Sequence, residues 1–399
     1  MPSTRGRLSV IFLTVVIDLV GFGIVMPTLP MYAQRFGVHG VGYGALVTIF
    51  SAMQFLSTAV LGRLSDRIGR RPILLTTMVI NAAGYLLFAF APSYALLLVS
   101  RVVSGFASGN ISAAQAYVAD ITPPAERARG MGIIGAAFGI GFVLGPLIGG
   151  LGDHYFGHFA PGLIAFGLSV ANLISAGSIL PESLAPEHRT VRPFFDFGHM
   201  GDALRRATLR PLMLVWLLAP FAFSAYTVAL GLQSRDALGW TPRELGWLFV
   251  VIGATVAVVQ GLLYGRLERR AGTRALLIAG LFGMAGSIAV VPWATTGLQL
   301  YLWTVPLAFT NSLFGPAATG LVSIYADPTE QGTILGAAQA FAALGRSVAP
   351  LTTGWSYDVL GQRSTFLLTT SIMLAAGVVS LGLAPPSADE RTAAAGATT

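Results

Sequence analysis

Twelve apolar stretches, each about 20 residues or more, follow one another along almost the whole chain. A bilayer hydrocarbon core is about 30 Å thick and takes about 20 apolar residues to cross as a helix. Inside lipid every backbone N–H and C=O must find a partner within the protein, so only helices or a closed barrel can cross. Runs of this length select helices. The stretches fall at 8–31, 42–62, 72–91, 94–119, 130–152, 160–180, 210–232, 243–264, 274–292, 297–325, 332–355 and 364–384. An all-α membrane protein of twelve transmembrane helices is the fold they predict. Composition agrees: 54% of residues are hydrophobic and 10% charged, against roughly 25% charged in soluble domains. The first stretch is too long for a signal peptide and lacks a small-residue cleavage site behind it, so it reads as helix 1 of the mature protein.

The formal net charge of +7 invites a nucleic-acid reading until the basic residues are placed. All 24 are arginines. With the N-terminus inside, eighteen fall on inner segments, four on outer segments (Arg35, Arg235, Arg243 and Arg363), and two, Arg101 and Arg346, within spans. Such an excess on one side is the mark of cytoplasmic segments, placing both termini in the cytoplasm and leaving no basic face for nucleic acid. The expected partners are protons, a small-molecule substrate and the lipid bilayer, with the chain as a monomer in a bacterial inner membrane. Cysteine is absent, which removes disulfides, thiolate metal sites and Cys nucleophiles. None of the five histidines lies in a span, so no His proton relay is available. Without lysine there is no Gly-x-x-x-x-Gly-Lys loop for a nucleotide, and no cofactor or metal set is expected. Catalysis has little to work with among the spans, and an enzyme is not predicted.

The longest inner segment, 181–209, divides the chain. Residues 1–180 form one six-helix bundle and 210–384 the other; 181–209 is a charged linker with a possible interfacial helix, and 385–399 a disordered cytoplasmic tail. Internal repetition supports the division. Gly62-Arg-Leu-Ser-Asp-Arg-Ile-Gly-Arg70 returns as Gly265-Arg-Leu-Glu-Arg-Arg-Ala-Gly-Thr273. Glu126, Gly141, Pro146 and Gly150 return as Glu330, Gly345, Pro350 and Gly354. Asp120 and Asp327 end helices 4 and 10 alike. Parallel repeats of this kind are a transporter architecture.

The segment Gly62-x-Leu64-x-Asp66-Arg67-x-Gly69-Arg70-Arg71 joins helices 2 and 3. Its glycines permit a tight reversal, and Asp66 can pair with several arginines. The pattern resembles the main loop signature of the major facilitator superfamily, where it acts as a latch on the cytoplasmic side. The resemblance implies gating roles for Asp66, Arg67 and Arg70, with Asp120, Glu126 and Arg127 as partners. Helix 5 carries Gly135, Gly139, Gly141, Gly145, Pro146, Gly149 and Gly150. Small residues one turn apart let helices approach closely and a proline bends them. The pattern resembles the glycine–proline signature of drug–proton antiporters and marks Gly141, Gly145, Pro146 and Gly149 as hinge and packing positions.

Three ionisable residues remain inside the spans. Asp18 lies about ten residues from the inner end of helix 1, so about 15 Å deep at 1.5 Å per residue. An ionised carboxylate at the membrane centre costs about 2.5–3.5 kcal/mol, which makes Asp18 a candidate proton carrier or a helix-holding carboxyl. Arg101 begins Arg-Val-Val-Ser-Gly105, which resembles the superfamily's helix-4 signature. It differs from Asp18 by about 5 Å in depth and could meet it. Arginine does not release its proton, so Arg101 would tune a proton site. Arg346 has Phe142 as its repeat counterpart; it could bind an anionic substrate or pair with a helix dipole or buried carboxyl. Gln54, Asn311 and Gln339 are candidate substrate contacts. Asn81, Asn110, Gln115, Tyr226 and Gln233 suit interhelical hydrogen bonds.

Asp18, Gln54, Asp66, Arg70, Arg101 and Asp120 together resemble the tetracycline-efflux-like branch of the drug–proton antiporters. Two positions depart from it. The branch's helix-3 aspartate before a Tyr is Gly84 here, preceding Tyr85, and its helix-9 aspartate aligns near Met284. The resemblance therefore supports the branch and not that substrate. It implies export of a small amphipathic molecule by proton antiport and alternating access; proton symport into the cell uses the same scaffold.

Overall fold

The computed structural model describes residues 4–122, 127–189, 201, 204–326 and 330–384, with the backbone alone at 4–9, 127–136, 138 and 188. The described residues are helical and contain no strand. In chain order the helices are α1 (Thr4–Val25), α2 (Leu29–Arg35), α3 (Gly40–Ile68), α4 (Arg70–Ala89), α5 (Tyr94–Ala107), α6 (Ile111–Ile121), α7 (Arg127–Phe156) and α8 (Ala160–Ile179). They continue as α9 (Arg210–Asp236), α10 (Pro242–Val258), α11 (Tyr264–Ala271), α12 (Thr273–Val290), α13 (Gly297–Tyr325) and α14 (Gln331–Leu381).

Nine helices or helix runs are long and apolar enough to cross a membrane, and α1 with α2 makes a tenth, bent by 44°. The bend follows from Pro27 and Pro30, which lack the N–H needed to continue the ladder. The 51-residue α14 is two helices joined at Gly361, where φ is 82°, a conformation that favours glycine. With the 30-residue α7 the spans reach the twelve expected. The fourth span is α5 and α6 joined by one turn of 3₁₀ helix at Ser108–Asn110. The expected interfacial helix falls mostly on residues outside those described, as do the tail 385–399, Glu126 and Asp327.

Two compact units result: Met1–Phe195 with Gly231–Gly253, and Asp196–Leu230 with Ala254–Thr399. In the first, α1 packs on α7 and α8, α3 on α5, and α4 on α5 and α8. In the second, α12 packs on α13 and α14. Glycine makes the α1–α7 contact close. A Cβ at Gly145 would lie 2.6 Å from Gly23 Cα, one at Gly141 would lie 2.5 Å from Leu19 Cβ, and one at Gly149 would run into the Ile24 carbonyl. Backbone approach of this kind replaces side-chain interdigitation where lipid gives helices no hydrophobic reason to associate.

Arg71 and Arg274 tie down the ends of α8 and α14 in the same way. Arg71, in the first turn of α4, donates from Nε to the Leu180 carbonyl and from Nη2 to the Gly177 carbonyl, both at 2.7 Å. Arg274, in the first turn of α12, donates from Nε to the Leu383 carbonyl and from Nη2 to the Leu381 carbonyl, both at 2.9 Å. These carbonyls close helices and have no intrahelical donor, and a cation there meets the negative end of the dipole. The Tyr117 hydroxyl donates to the Pro181 carbonyl, and the Tyr325 hydroxyl to the Ala384 carbonyl.

Candidate functional site

At the arginine-rich end of the first unit, α3 runs past its apolar part as far as Ile68, and Gly69 (φ 112°) turns the chain into α4. The reversal aims Arg70 back beneath α3. Its side chain is 9% exposed and holds two carboxylates: Nη1 lies 2.5 Å from Asp66 Oδ1 and Nε 3.2 Å from Asp120 Oδ2. Arg70 also donates to Ser65 Oγ at 2.6 Å, and Ser183 Oγ donates to Asp120 Oδ2 at 3.0 Å. A planar guanidinium with five donors suits such a node. Asp66, Arg70 and Asp120, named from the sequence, are thus brought together across α3, α4 and α6. Arg67 lies half-buried on the same turn. Arg127 opens α7, with its backbone alone described.

The loop after α8 adds a group that motif reading missed. Glu182 accepts from the backbone N–H of Arg70 at 2.9 Å and of Arg71 at 3.3 Å, so a carboxylate caps the exposed donors of α4. A lone glutamate in a polar loop carries no pattern that would have flagged it.

Asp18 lies half-buried on α1. Its Oδ2 accepts from Asn110 Nδ2 at 2.7 Å, while its Oδ1 is buried without a hydrogen-bond partner. Asn81 of α4 stands within interaction range of the carboxylate, and its own Oδ1 has no partner. Arg101 on α5 is 3% exposed. Its guanidinium lies 4.8 Å from the Phe88 ring centroid and its Nε donates to Ser100 Oγ at 3.3 Å. Asp18 and Arg101 form no ion pair; the buried side chain of Tyr85 is within electrostatic range of both. A Cβ at Gly84 would strike Ser104 Oγ and lie 3.1 Å from Ser104 N. Close helix packing therefore occupies the position at which the tetracycline-efflux-like pattern has its helix-3 aspartate.

Other sequence-named residues are distributed more widely. Gln54 Nε2 donates to the Ser108 carbonyl at 3.5 Å, an interhelical bond. In the second unit Arg346 is exposed on α14 and its guanidinium has no carboxylate partner among the described residues, while its carbonyl accepts from Ser224. Asn311 on α13 is half-buried and Gln339 on α14 exposed.

At the end of the first unit remote from Arg70, α7 and α10 run antiparallel against each other. A Cβ at Gly150 would lie 2.5 Å from the Pro242 carbonyl, and one at Gly246 would lie 2.6 Å from the Pro146 carbonyl. Beyond the contact a cavity of about 660 Å³ is lined by Gln34, Asp153, His154, Arg235, Asp236 and Trp240 among others. Arg235 pairs with Asp236 at 2.6 Å there. His158, in the turn between α7 and α8, has its imidazole pushed down by burial and by Arg35, against the opposing pull of Asp153.

Known proteins resemble this chain in sequence and fold. The family model described as Major Facilitator Superfamily matches residues 11–241 and 212–399. The Escherichia coli tetracycline resistance protein, class C, is 32% identical over 87% of this chain and 89% of its own length. Major facilitator superfamily domain-containing protein 10 of Bos taurus is 29% identical over 97% of this chain and 94% of its own. Among solved structures, that of the human organic anion transporter MFSD10 (TETRAN) superposes with a TM-score of 0.72 at 27% identity, covering 95% of this chain and 100% of its own. A bacterial homologue of the human lysosomal transporter Spinster, in an inward-facing and occupied conformation, gives 0.78 at 14% identity over 98% of each chain and shares the fold. The chain belongs to the major facilitator superfamily, a family of membrane transporters and not of enzymes.

Proposed function

We propose that this transporter exports a small amphipathic molecule bearing an anionic group, in exchange for protons and by alternating access, with Asp18 as the proton carrier. The observation that carries the reading is the Asp18 carboxylate itself: it sits within the membrane-spanning part of α1, with one oxygen held by Asn110 and the other buried without a partner. An intramembrane carboxylate in such surroundings is costly when ionised and gains by taking up a proton. Arg346 supports the anionic substrate, since its exposed guanidinium has no carboxylate partner among the described residues. The human relative described as an organic anion transporter, aligned over most of this chain, supports the same substrate class. Gln54, Asn311 and Gln339 are further candidate contacts. Asp66, Arg67, Arg70, Asp120 and Arg127 would gate the arginine-rich side, and Gly141, Gly145, Pro146 and Gly149 would let α1 and α7 move while remaining in contact. The eighteen-to-four arginine distribution supports a multi-pass protein with both termini cytoplasmic. The tetracycline resistance relative of Escherichia coli supports placement in a bacterial inner membrane. The chain would work as a monomer.

Substrate charge decides the energetics. One monoanion leaving as one proton enters moves two positive charges inward in net terms, so 100 mV supplies about 4.6 kcal/mol per cycle, twice the single-charge value. A pH difference of one unit adds about 1.4 kcal/mol per proton. The test loads proteoliposomes with a panel of fluorescent organic anions and matched neutral analogues, and follows dye movement under imposed pH gradients and potassium–valinomycin potentials. The expected result is anion movement driven by either gradient, lost in Asp18→Asn, with affinity reduced at least tenfold in Arg346→Ala. Gradient-driven transport that persists in Asp18→Asn would overturn the role of Asp18. Equal transport of neutral analogues, insensitive to Arg346→Ala, would overturn the anionic substrate.

A further inference from the structure

The first unit contains a buried carboxylate and a buried guanidinium that do not meet, and one side chain lies in electrostatic range of both. Tyr85, on α4, is 3% exposed. Its hydroxyl reaches α1 at Gly21, where a Cβ would lie 2.5 Å from the oxygen. Gly21 is one helical turn from Asp18. Asn81, one turn earlier on α4, ranges to both the Asp18 carboxylate and the Tyr85 hydroxyl. Arg101 interacts electrostatically with Tyr85, and its Nη2 is buried without a partner, as is Asp18 Oδ1. Asn110 and Asn81 are the polar side chains that act directly on Asp18 among the described residues. Tyr85 of α4 is in electrostatic range of Asp18, and Arg101 of α5 is in electrostatic range of Tyr85.

A phenolic hydroxyl donates one hydrogen bond and accepts others, whereas an arginine only donates and an ionised carboxylate only accepts. A hydroxyl in range of both can therefore accept from a cation and donate toward a carboxylate, and the second interaction weakens once the carboxyl takes a proton. We propose that Tyr85 is a positioning residue for the proton carrier: its hydroxyl, admitted against α1 by Gly21, links the charge state of Asp18 to Arg101. The inference rests on the reading of Asp18 as the group that takes up the proton. It also gives Gly21 a purpose besides packing, because an alanine there displaces the hydroxyl while every polar group remains.

The experiment is an infrared pH titration of the purified full chain in lipid, without substrate, following the protonated-carboxyl band. Asp18→Asn identifies the band that belongs to Asp18. Tyr85→Phe keeps the ring and removes the hydroxyl; Gly21→Ala keeps the hydroxyl and moves it. Both are expected to move the midpoint of that band toward higher pH, because a hydroxyl dipole oriented beside the carboxylate favours its ionised form. Arg101→Gln is expected to move it in the same direction, and a Tyr85→Phe/Arg101→Gln double variant by less than the two single shifts together. A midpoint unchanged in both Tyr85→Phe and Gly21→Ala overturns the positioning role while leaving Asp18 as the carrier. If Asp18→Asn removes no pH-dependent band, the carrier reading itself is overturned. Melting curves distinguish a displaced hydroxyl from a misfolded chain, and either of the two single variants suffices if the other does not fold.

Discussion

The arginine-rich ends of the two units are built from one repeated sequence, yet they share some contacts and differ in others. In both, a glycine at positive φ (Gly69 at 112°, Gly272 at 82°) turns one helix into the next. In both, an arginine of the following turn binds two carbonyls at the end of α8 or α14, and a tyrosine binds the carbonyl just beyond. Among the described residues the charge network is not repeated. Where the first unit has Asp66, Arg70 and Asp120 in contact, the second has Arg269 and Thr273 at the positions of Asp66 and Arg70. Its Glu268 accepts from Thr273 at 2.9 Å and from Tyr264 at 3.4 Å. The repeat retained what holds a bundle together. It diverged where two partly buried acids share one cation, an arrangement that can change partners during a cycle.

This contrast can be broken most forcefully at Arg70. Replacing Arg70 with Ala leaves Asp66 and Asp120 unpaired and close together. A loss of about 2–3 kcal/mol is expected, somewhat below the range for a fully buried pair, with transport down at least tenfold. Thr273→Ala should leave transport within twofold of the unaltered chain. Melting curves and vesicle transport measured side by side decide it, and equal losses in the two variants would mean that the first network is only structural.

A smaller effect separates holding from switching. Arg71→Ala and Arg274→Ala each remove two hydrogen bonds from a charged donor, expected to cost about 1.5 kcal/mol apiece. Since the geometry is repeated, the two should lower the melting temperature alike and add in the double variant, with the pH dependence of transport unmoved. A pH profile that follows Arg71→Ala alone would show that the first clamp takes part in gating.

The smallest effect belongs to the tyrosines. Tyr117→Phe and Tyr325→Phe each delete one hydroxyl bond to a carbonyl, a change of about 1 kcal/mol readable as a modest fall in thermal stability. A marked transport defect in one of them, without loss of stability, would set the two units apart at a point where they look the same.

The sequence showed the helices well and their ends less well. The tenth span, expected at 297–325, is α13, Gly297–Tyr325. The second, expected to stop at 62, continues to Ile68, because a helix does not end where hydrophobicity ends: Arg63, Asp66 and Arg67 continue its ladder. Pro27 was visible in the sequence, but the 44° bend between α1 and α2 was not, since prolines within α7, α9 and α13 leave those helices continuous. At the arginine-rich end, Asp66, Arg70 and Asp120 were legible through a charged, glycine-punctuated pattern in an apolar chain. Glu182 was not, lacking any pattern, and Tyr85 was not, because a tyrosine in an apolar span looks like ordinary core.

What the sequence alone determined follows from free energies that act locally and add along the chain. Twelve apolar runs of spanning length dictate helices in a bilayer. The tertiary structure decided which polar atoms meet. Whether Asp18 faces Asn110 or Arg101 turns on differences of a few ångströms between helices, set by glycines that let backbones touch. Depth along a helix, countable from sequence, says nothing about rotation around its axis. The carboxylate and the guanidinium that their depths could have brought together form no ion pair, with Tyr85 in electrostatic range of both.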